Sequence, residues 1–198
     1  MLEIRDHISH LFTHMEKQII LSKKDKEELS ISFKARRLLK RQYLLQADTV
    51  CAHESFVVKG CLRMLYVDEK GIDHTLSFAV ENWWICDLES FLRGSPSAYN
   101  IEALENTIVL QVDAIALEKL YQKIPLLDRY FRILHQNAFI GQSKRILNNI
   151  SLPGRARYDI FLKTYPQLHQ RIPQKYIASF LGITPVFLSQ IRKQRSQR

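Results

Sequence analysis

Gln174-Lys175-Tyr176-Ile177-Ala178-Ser179-Phe180-Leu181-Gly182-Ile183-Thr184-Pro185-Val186-Phe187-Leu188-Ser189-Gln190-Ile191-Arg192-Lys193 is the stretch whose reading decides the fold. Two short helices crossing at a steep angle need a small residue where they touch, a turn residue tolerant of positive φ, and apolar anchors on both sides. Ala178 supplies the first and Gly182 the second, while Ile177, Phe180, Leu181, Ile183, Leu188 and Ile191 supply the anchors. Thr184 is a natural N-cap, and Pro185 follows at the first helical position, where its missing N–H costs nothing. The pattern predicts a helix-turn-helix. With Leu188 and Ile191 turned inward, Pro185, Val186, Ser189, Gln190 and Lys193 share the opposite face, the one that enters a major groove in such a motif.

The chemistry of that face bears on sequence preference. Gln190 can pair bidentately with adenine, Val186 can pack on a thymine methyl and Ser189 is permissive, so Pro185, Val186, Ser189 and Gln190 are the expected base readers. Gln174, Lys175, Thr184, Arg192, Lys193 and Arg195 are expected on phosphates, which fix register rather than sequence.

Charge supports this placement. The 198-residue chain carries a formal net charge of +9. Residues 1–150 hold 20 Lys and Arg against 19 Asp and Glu, whereas residues 151–198 hold nine cations against the lone Asp159, a net of +8. An excess confined to one segment marks a polyanion-binding unit, with duplex DNA as the expected partner. Three widely spaced cysteines, Cys51, Cys61 and Cys86, form no CxxC pair, so neither a disulfide framework nor structural zinc is expected. Arg5, Asp6 and His7 interrupt any signal-peptide pattern, and no apolar run approaches the ~18 residues that span a bilayer. The expectation is a cytoplasmic protein with no membrane partner.

Upstream, Ile4, Ile8, Leu11, Phe12, Met15 and Ile19 form the stripe of an amphipathic helix, and Ser22-x-x-Asp25 resembles a capping box. From Phe33 to Val112 the period changes. Residues 55–58, 61–67, 75–80 and 108–112 are rich in β-branched and aromatic residues and alternate with turn signals at 68–71, 81–82, 93–96 and 105–106, which suggests an antiparallel sandwich, barrel or jelly roll. Helical spacing returns at 114–121, and Pro125 opens a long helix running to about Asn149. Leu127, Phe131, Leu134, Ala138 and Gly141 fall on it at alternating four- and three-residue steps, the seam of a two-stranded coiled coil, so a homodimer is expected. Tyr130, Ile133, Phe139 and Ile140 lie off that seam, available for docking on the β-segment. Ser151-Leu152-Pro153-Gly154 reads as a hinge.

The whole pattern resembles the Crp/Fnr family of bacterial transcription regulators. The likeness rests on Val58-Lys59-Gly60-Cys61-Leu62-Arg63, the turn Asp68-Glu69-Lys70-Gly71, the return strand Ile101-Glu102-Ala103-Leu104-Glu105, the long helix and the helix-turn-helix ending Ile183-Thr184-Pro185. The resemblance implies an α+β chain: a cyclic-nucleotide-binding-like antiparallel β-roll, jelly-roll-like with flanking helices, over residues 1–124; a dimerisation helix over 125–150; and an all-α helix-turn-helix domain over 151–198. In such proteins an effector in the β-roll reorients the DNA-binding domains of a homodimer, and RNA polymerase is a candidate partner.

Three departures from the family pattern stand out. The phosphate-binding cassette of cyclic-nucleotide binders carries Gly-Glu and, about ten residues on, Arg-Ser or Arg-Thr. Here Cys86-Asp87 stands for Gly-Glu and Ser97-Ala98 for the Arg pair, so the bidentate contact of an Arg with a phosphate is lost. Arg93 is the candidate substitute, and Cys86, Asp87, Arg93, Ser97 and Ala98 make up the expected effector pocket. No cysteine precedes Cys51, which excludes the family's N-terminal iron–sulfur ligation. Val186 and Gln190 occupy positions where many members place Glu and Arg, so the operator should differ from the best-known one. The expected function is a dimeric DNA-binding regulator with an altered sensor pocket and no cofactor, the alternative being a cyclic-nucleotide-responsive regulator with a non-standard pocket. A cupin-like metal enzyme would need convergent His ligands, and the β-region offers only His53 and His74 with no His-x-His, so neither catalysis nor a metal is expected.

Overall fold

The computed structural model describes residues 5–196; Ile4 of the N-terminal stripe and Arg198 of the basic segment lie outside the described residues. Two helices come first, α1 (Arg5–Met15) and α2 (Lys23–Ser32). Ile8, Leu11, Met15 and Ile19 bury the stripe. Ser22 caps α2 reciprocally: its Oγ accepts from Asp25 N at 3.2 Å, and Asp25 Oδ2 accepts from Ser22 N at 2.8 Å, satisfying two of the donors that a helix start leaves open.

Eight strands follow: β1 (Lys34–Leu38), β2 (Tyr43–Leu45), β3 (His53–Lys59), β4 (Leu62–Val67), β5 (Asp73–Ala79), β6 (Trp84–Ile85), β7 (Asn100–Ala103) and β8 (Thr107–Asp113), with the short helix α3 (Leu88–Arg93) between β6 and β7. They form two four-stranded sheets of order β1-β8-β3-β6 and β2-β7-β4-β5, an antiparallel jelly-roll-like core. Four strands sit where alternation predicts them. The turn signal at 93–96 instead ends α3, with Gly94 as a left-handed cap at φ 66. Gly60 joins β3 to β4 at φ 104, and a Cβ there would stand 2.7 Å from Thr107 Cα, so only glycine fits.

α4 (Ala114–Lys123), capped by Asp113, leads into α5 (Leu126–Ser151), then α6 (Gly154–Thr164), α7 (Leu168–Arg171), α8 (Gln174–Leu181) and α9 (Pro185–Ser196). The chain divides into two compact units: residues up to Tyr66 with Phe78–His135, and Val67–Ser77 with the residues from Gln136 onward. The division runs through α5, after His135, rather than at its ends, and it groups the tip of the β4–β5 hairpin with the C-terminal helices.

In the first unit, Phe56, Trp84, Tyr130 and Phe131 pack edge-on or tilted. Tyr130 Oη is hydrogen-bonded to Trp84 Nε1 at 2.8 Å and to His14 Nδ1 at 2.7 Å, which satisfies the polar ends of a buried aromatic cluster. In the second unit, Tyr158, Phe161, Tyr165, Ile177, Ala178, Leu181, Leu188 and Ile191 form the core.

Candidate nucleic-acid interface and sensor pocket

The helix-turn-helix closes as its residues predict. Gly182 takes the left-handed conformation at φ 61, and the backbone then folds back, Gly182 N donating to Ser179 O and Ile183 N to Ala178 O. Ala178 is fully buried at this corner. Thr184 Oγ1 accepts from Phe187 N at 3.2 Å, so α9 starts at a defined residue. The Phe187 ring packs on the backbone of Gly154, where a Cβ would approach it to 2.8 Å.

Leu188 and Ile191 face the core, while Pro185, Val186, Ser189, Gln190 and Lys193 are exposed together. The four expected base readers therefore share one solvent face. Of the expected phosphate contacts, Gln174, Lys175, Thr184 and Lys193 are exposed, with the Lys175 ammonium 5.0 Å from the Tyr176 ring centroid. Arg192 is half-buried. Arg195 is engaged by Asp159, the only acid in residues 151–198, so its charge is already partly neutralised.

Two residues that the sequence reading leaves unassigned anchor this unit. Ser179, on α8, accepts from Thr75 N at 2.8 Å and donates to Asp73 O at 3.0 Å. Arg145, on α5, donates to the carbonyls of Leu76, Thr75 and Phe180 and lies 4.2 Å from the Phe180 ring centroid. The hairpin tip thus holds the first helix of the helix-turn-helix at both backbone and side-chain level. Three segments remote in sequence meet there, a juxtaposition that no local pattern announces.

On the long helix, Leu127 and Phe131 of the expected seam are buried in the first unit and Leu134 is half-buried, whereas Ala138 and Gly141 are exposed. The off-seam residues divide the opposite way to docking: Tyr130 is buried, but Phe139 and Ile140 are open to solvent. With Ile146, Leu147 and Ile150, which are also exposed, they form an apolar stripe along the C-terminal half of α5.

In the cassette, Asp87 caps α3, its Oδ1 accepting from Ser90 N at 3.3 Å, and its Oδ2 accepts from Ser97 Oγ at 2.6 Å. Asp87 and Ser97 are both buried. The serine standing in the place of the family's Arg thus donates to the carboxylate standing in the place of its Glu. Arg93 does not reach this group; it is largely exposed and pairs with Glu89 at 3.3 Å. Ala98 is exposed, and burial pushes the Cys86 thiol up, keeping it protonated. Cys86 also lines a cavity of about 280 Å³ within the roll, shared with Arg36, His53, Ser55 and Gln111. Among the described residues no cluster of three or more His, Cys, Asp or Glu is arranged to hold a metal ion. No described helix is long and apolar enough to cross a membrane.

Residues 35–124 match the model of the cyclic nucleotide-binding domain family. The matched span runs from β1 through α4. FixK2 from Bradyrhizobium japonicum is similar in fold, with a TM-score of 0.74 at 16% identity over 83% of this chain and 85% of that one. A CooA mutant from Carboxydothermus hydrogenoformans aligns with a TM-score of 0.67 at 17% identity over 91% and 82%. The c-di-GMP-responsive global regulator CLP from Xanthomonas campestris aligns with a TM-score of 0.65 at 12% identity over 89% and 92%. No curated protein matches in sequence. The cyclic nucleotide-binding domain followed by helices thus carries the Crp/Fnr fold, as the resemblance implied.

Proposed function

We propose that the chain is a DNA-binding transcription regulator that acts as a homodimer, with α9 in the major groove. The observation that carries this reading is the exposed, largely uncharged face of Pro185, Val186, Ser189 and Gln190 on a capped helix, set in a segment of net charge +8. Bases are read by that face, and Lys175, Lys193, Gln174 and the Thr184 hydroxyl meet phosphates. The fold shared with FixK2 and CLP supports the same reading.

The dimer surface is the apolar stripe of Ile140, Leu147 and Ile150, flanked by Phe139 and Ile146, with Ala138 and Gly141 small enough to admit a second helix. Spacings of seven between Ile140 and Leu147 and three on to Ile150 suit a coiled-coil seam. This surface departs from the seam that sequence spacing alone suggests: Leu127 and Phe131 are consumed by the roll, and Ile140, Leu147 and Ile150 lie off that seam.

The cassette is self-satisfied. A cyclic phosphate entering it would find no guanidinium and would have to break the Asp87–Ser97 hydrogen bond, so cyclic AMP and cyclic GMP are not the effectors. Selection of bound duplexes from a random pool tests the function: the reading expects a symmetric pair of half-sites about one helical turn apart. Calorimetry with both cyclic nucleotides tests the cassette, and submicromolar binding of either would contradict it.

A further inference from the structure

The inner face of the sheet β1-β8-β3-β6 is interrupted by a polar pair. Val57 and Val109 are fully buried opposite each other, and the next positions on the same face, Ser55 and Gln111, are also direct partners across β3 and β8. Ser55 is 1% and Gln111 8% exposed, and Gln111 Nε2 donates to Ser55 Oγ at 3.1 Å. Gln111 Oε1 has no hydrogen-bond partner among the described residues. That oxygen is not sealed in the core but stays accessible, an acceptor open to whatever occupies the space beside it. The retained polar pair faces the 280 Å³ cavity, close to the low end of the ~300–1,000 Å³ range of small-molecule sites.

The rest of the wall narrows the chemistry. Arg36 lies diagonal to Gln111 across β1 and β8, a step of about 7–8 Å that one small molecule bridges. Its guanidinium donates to the carbonyls of Tyr43 at 3.1 Å and Leu44 at 3.3 Å, fastening β1 to β2 at the cavity rim and leaving further N–H groups to spare. His53 follows on the same face of β3. Burial above all, with Arg36 and Lys34 working against Asp113, lowers its pKa, so it meets the cavity as a neutral imidazole near pH 7. Among the described residues no carboxylate lines the cavity. A cationic ligand finds no partner here, and a hydrocarbon would leave Gln111 Oε1 unsatisfied. An anion finds Arg36, and a hydroxyl finds both an acceptor at Gln111 and a donor at Ser55.

We propose that this cavity is a binding site for a small hydroxycarboxylic acid, with the carboxylate on Arg36 and the hydroxyl on Gln111 and Ser55. The proposal rests on the reading of the roll as a sensor and supplies the class of its effector. The site adjoins the cyclic-nucleotide cassette through Cys86, but it does not use the cassette's Asp87 and Ser97, which are spent on each other.

The test is titration of the full chain with lactate, malate and citrate, followed by calorimetry and by the side-chain amide NMR signal of Gln111. Succinate, inorganic phosphate and cyclic AMP serve as comparison ligands. At least one hydroxy acid should bind and shift the Gln111 signal, and succinate, which lacks the hydroxyl of malate, should bind about tenfold more weakly than malate or not at all. Arg36→Gln should weaken binding about tenfold or more. The double variant Ser55→Ala with Gln111→Leu should abolish binding while melting no lower than the parent, an outcome that separates lost recognition from lost folding. The proposal is overturned by failure of all three hydroxy acids at millimolar concentration, by binding that the double variant retains, or by a response to phosphate or cyclic AMP alone. Duplex binding by the same preparation reports the regulator assignment separately: salt-dependent DNA binding with no response to hydroxy acids sinks this site and leaves that assignment standing.

Discussion

Substituting Gln190 by Ala removes the exposed amide that the base-reading face of α9 offers for a bidentate pair with an adenine edge. The expected loss is about 1–3 kcal/mol on the selected duplex and little on non-specific DNA, read by fluorescence anisotropy. Lys193→Ala should instead weaken all duplexes alike and lower the salt slope by about 1. Arg195→Ala should have the smaller effect of the two cation variants, because Asp159 already engages that guanidinium. A different residue governs pH dependence. Glu54 on β3 is almost fully buried, 3.7 Å from His135 Nε2, and burial pushes its pKa from 4.5 up to about 7. The folded state therefore holds that proton more tightly than the unfolded chain does. The stability it contributes is fully present below about pH 4.5 and is lost as pH rises through about 7. His135, lowered by burial, works in the opposite sense, its contribution being present above 6.5 and lost on acidification. Glu54→Gln should raise the melting temperature at pH 8, by an amount worth up to about 3 kcal/mol, and the gain should vanish by pH 4. At this scale the reader helix was legible because caps, turns and anchors are local signals. Arg145 and Ser179 were not, because their partners lie 35 to more than a hundred positions away, and although Asp87 and Ser97 stood out as pocket residues, their hydrogen bond to each other did not.

The elements divide in the same manner. β3, β4, β5 and β8 announce themselves by alternation, as do α1 and the capping box of α2. β1 does not: Lys-Ala-Arg-Arg-Leu carries too much charge for a strand pattern, and it pairs only as an edge strand, where exposed cations deter further pairing. α5 illustrates how periodicity misleads over a long helix. Its spacing picks out Leu127, Phe131, Leu134, Ala138 and Gly141, but the first two are buried in the first unit and the exposed apolar residues Ile140, Leu147 and Ile150 lie off that seam. Leu147→Asp should therefore convert the proposed dimer to a monomer in sedimentation analysis while leaving the circular dichroism unchanged, whereas Phe131→Asp should unfold the first unit. Gly60→Ala should cost more than about 2 kcal/mol, since both the positive φ and the approach of Thr107 forbid a side chain. Arg145→Ala removes three hydrogen bonds that hold the hairpin tip to α8, and should raise amide exchange in Thr75, Leu76 and α8 while sparing β3 and β8.

For the molecule as a whole, the charge partition is the feature that ties sequence to function. Nearly all of the +9 lies in the last 48 residues, on the unit that carries the helix-turn-helix. Under the proposed function, that excess supplies affinity for phosphate, and selectivity falls to an uncharged face. The measurement that tests this most directly is the salt dependence of binding to the selected duplex, by anisotropy between about 50 and 200 mM salt. With Lys175 and Lys193 of two protomers each neutralising a phosphate, log Kd should rise with log salt at a slope of at least about 3. Binding that does not change with salt, or no binding to any selected duplex, would contradict the account.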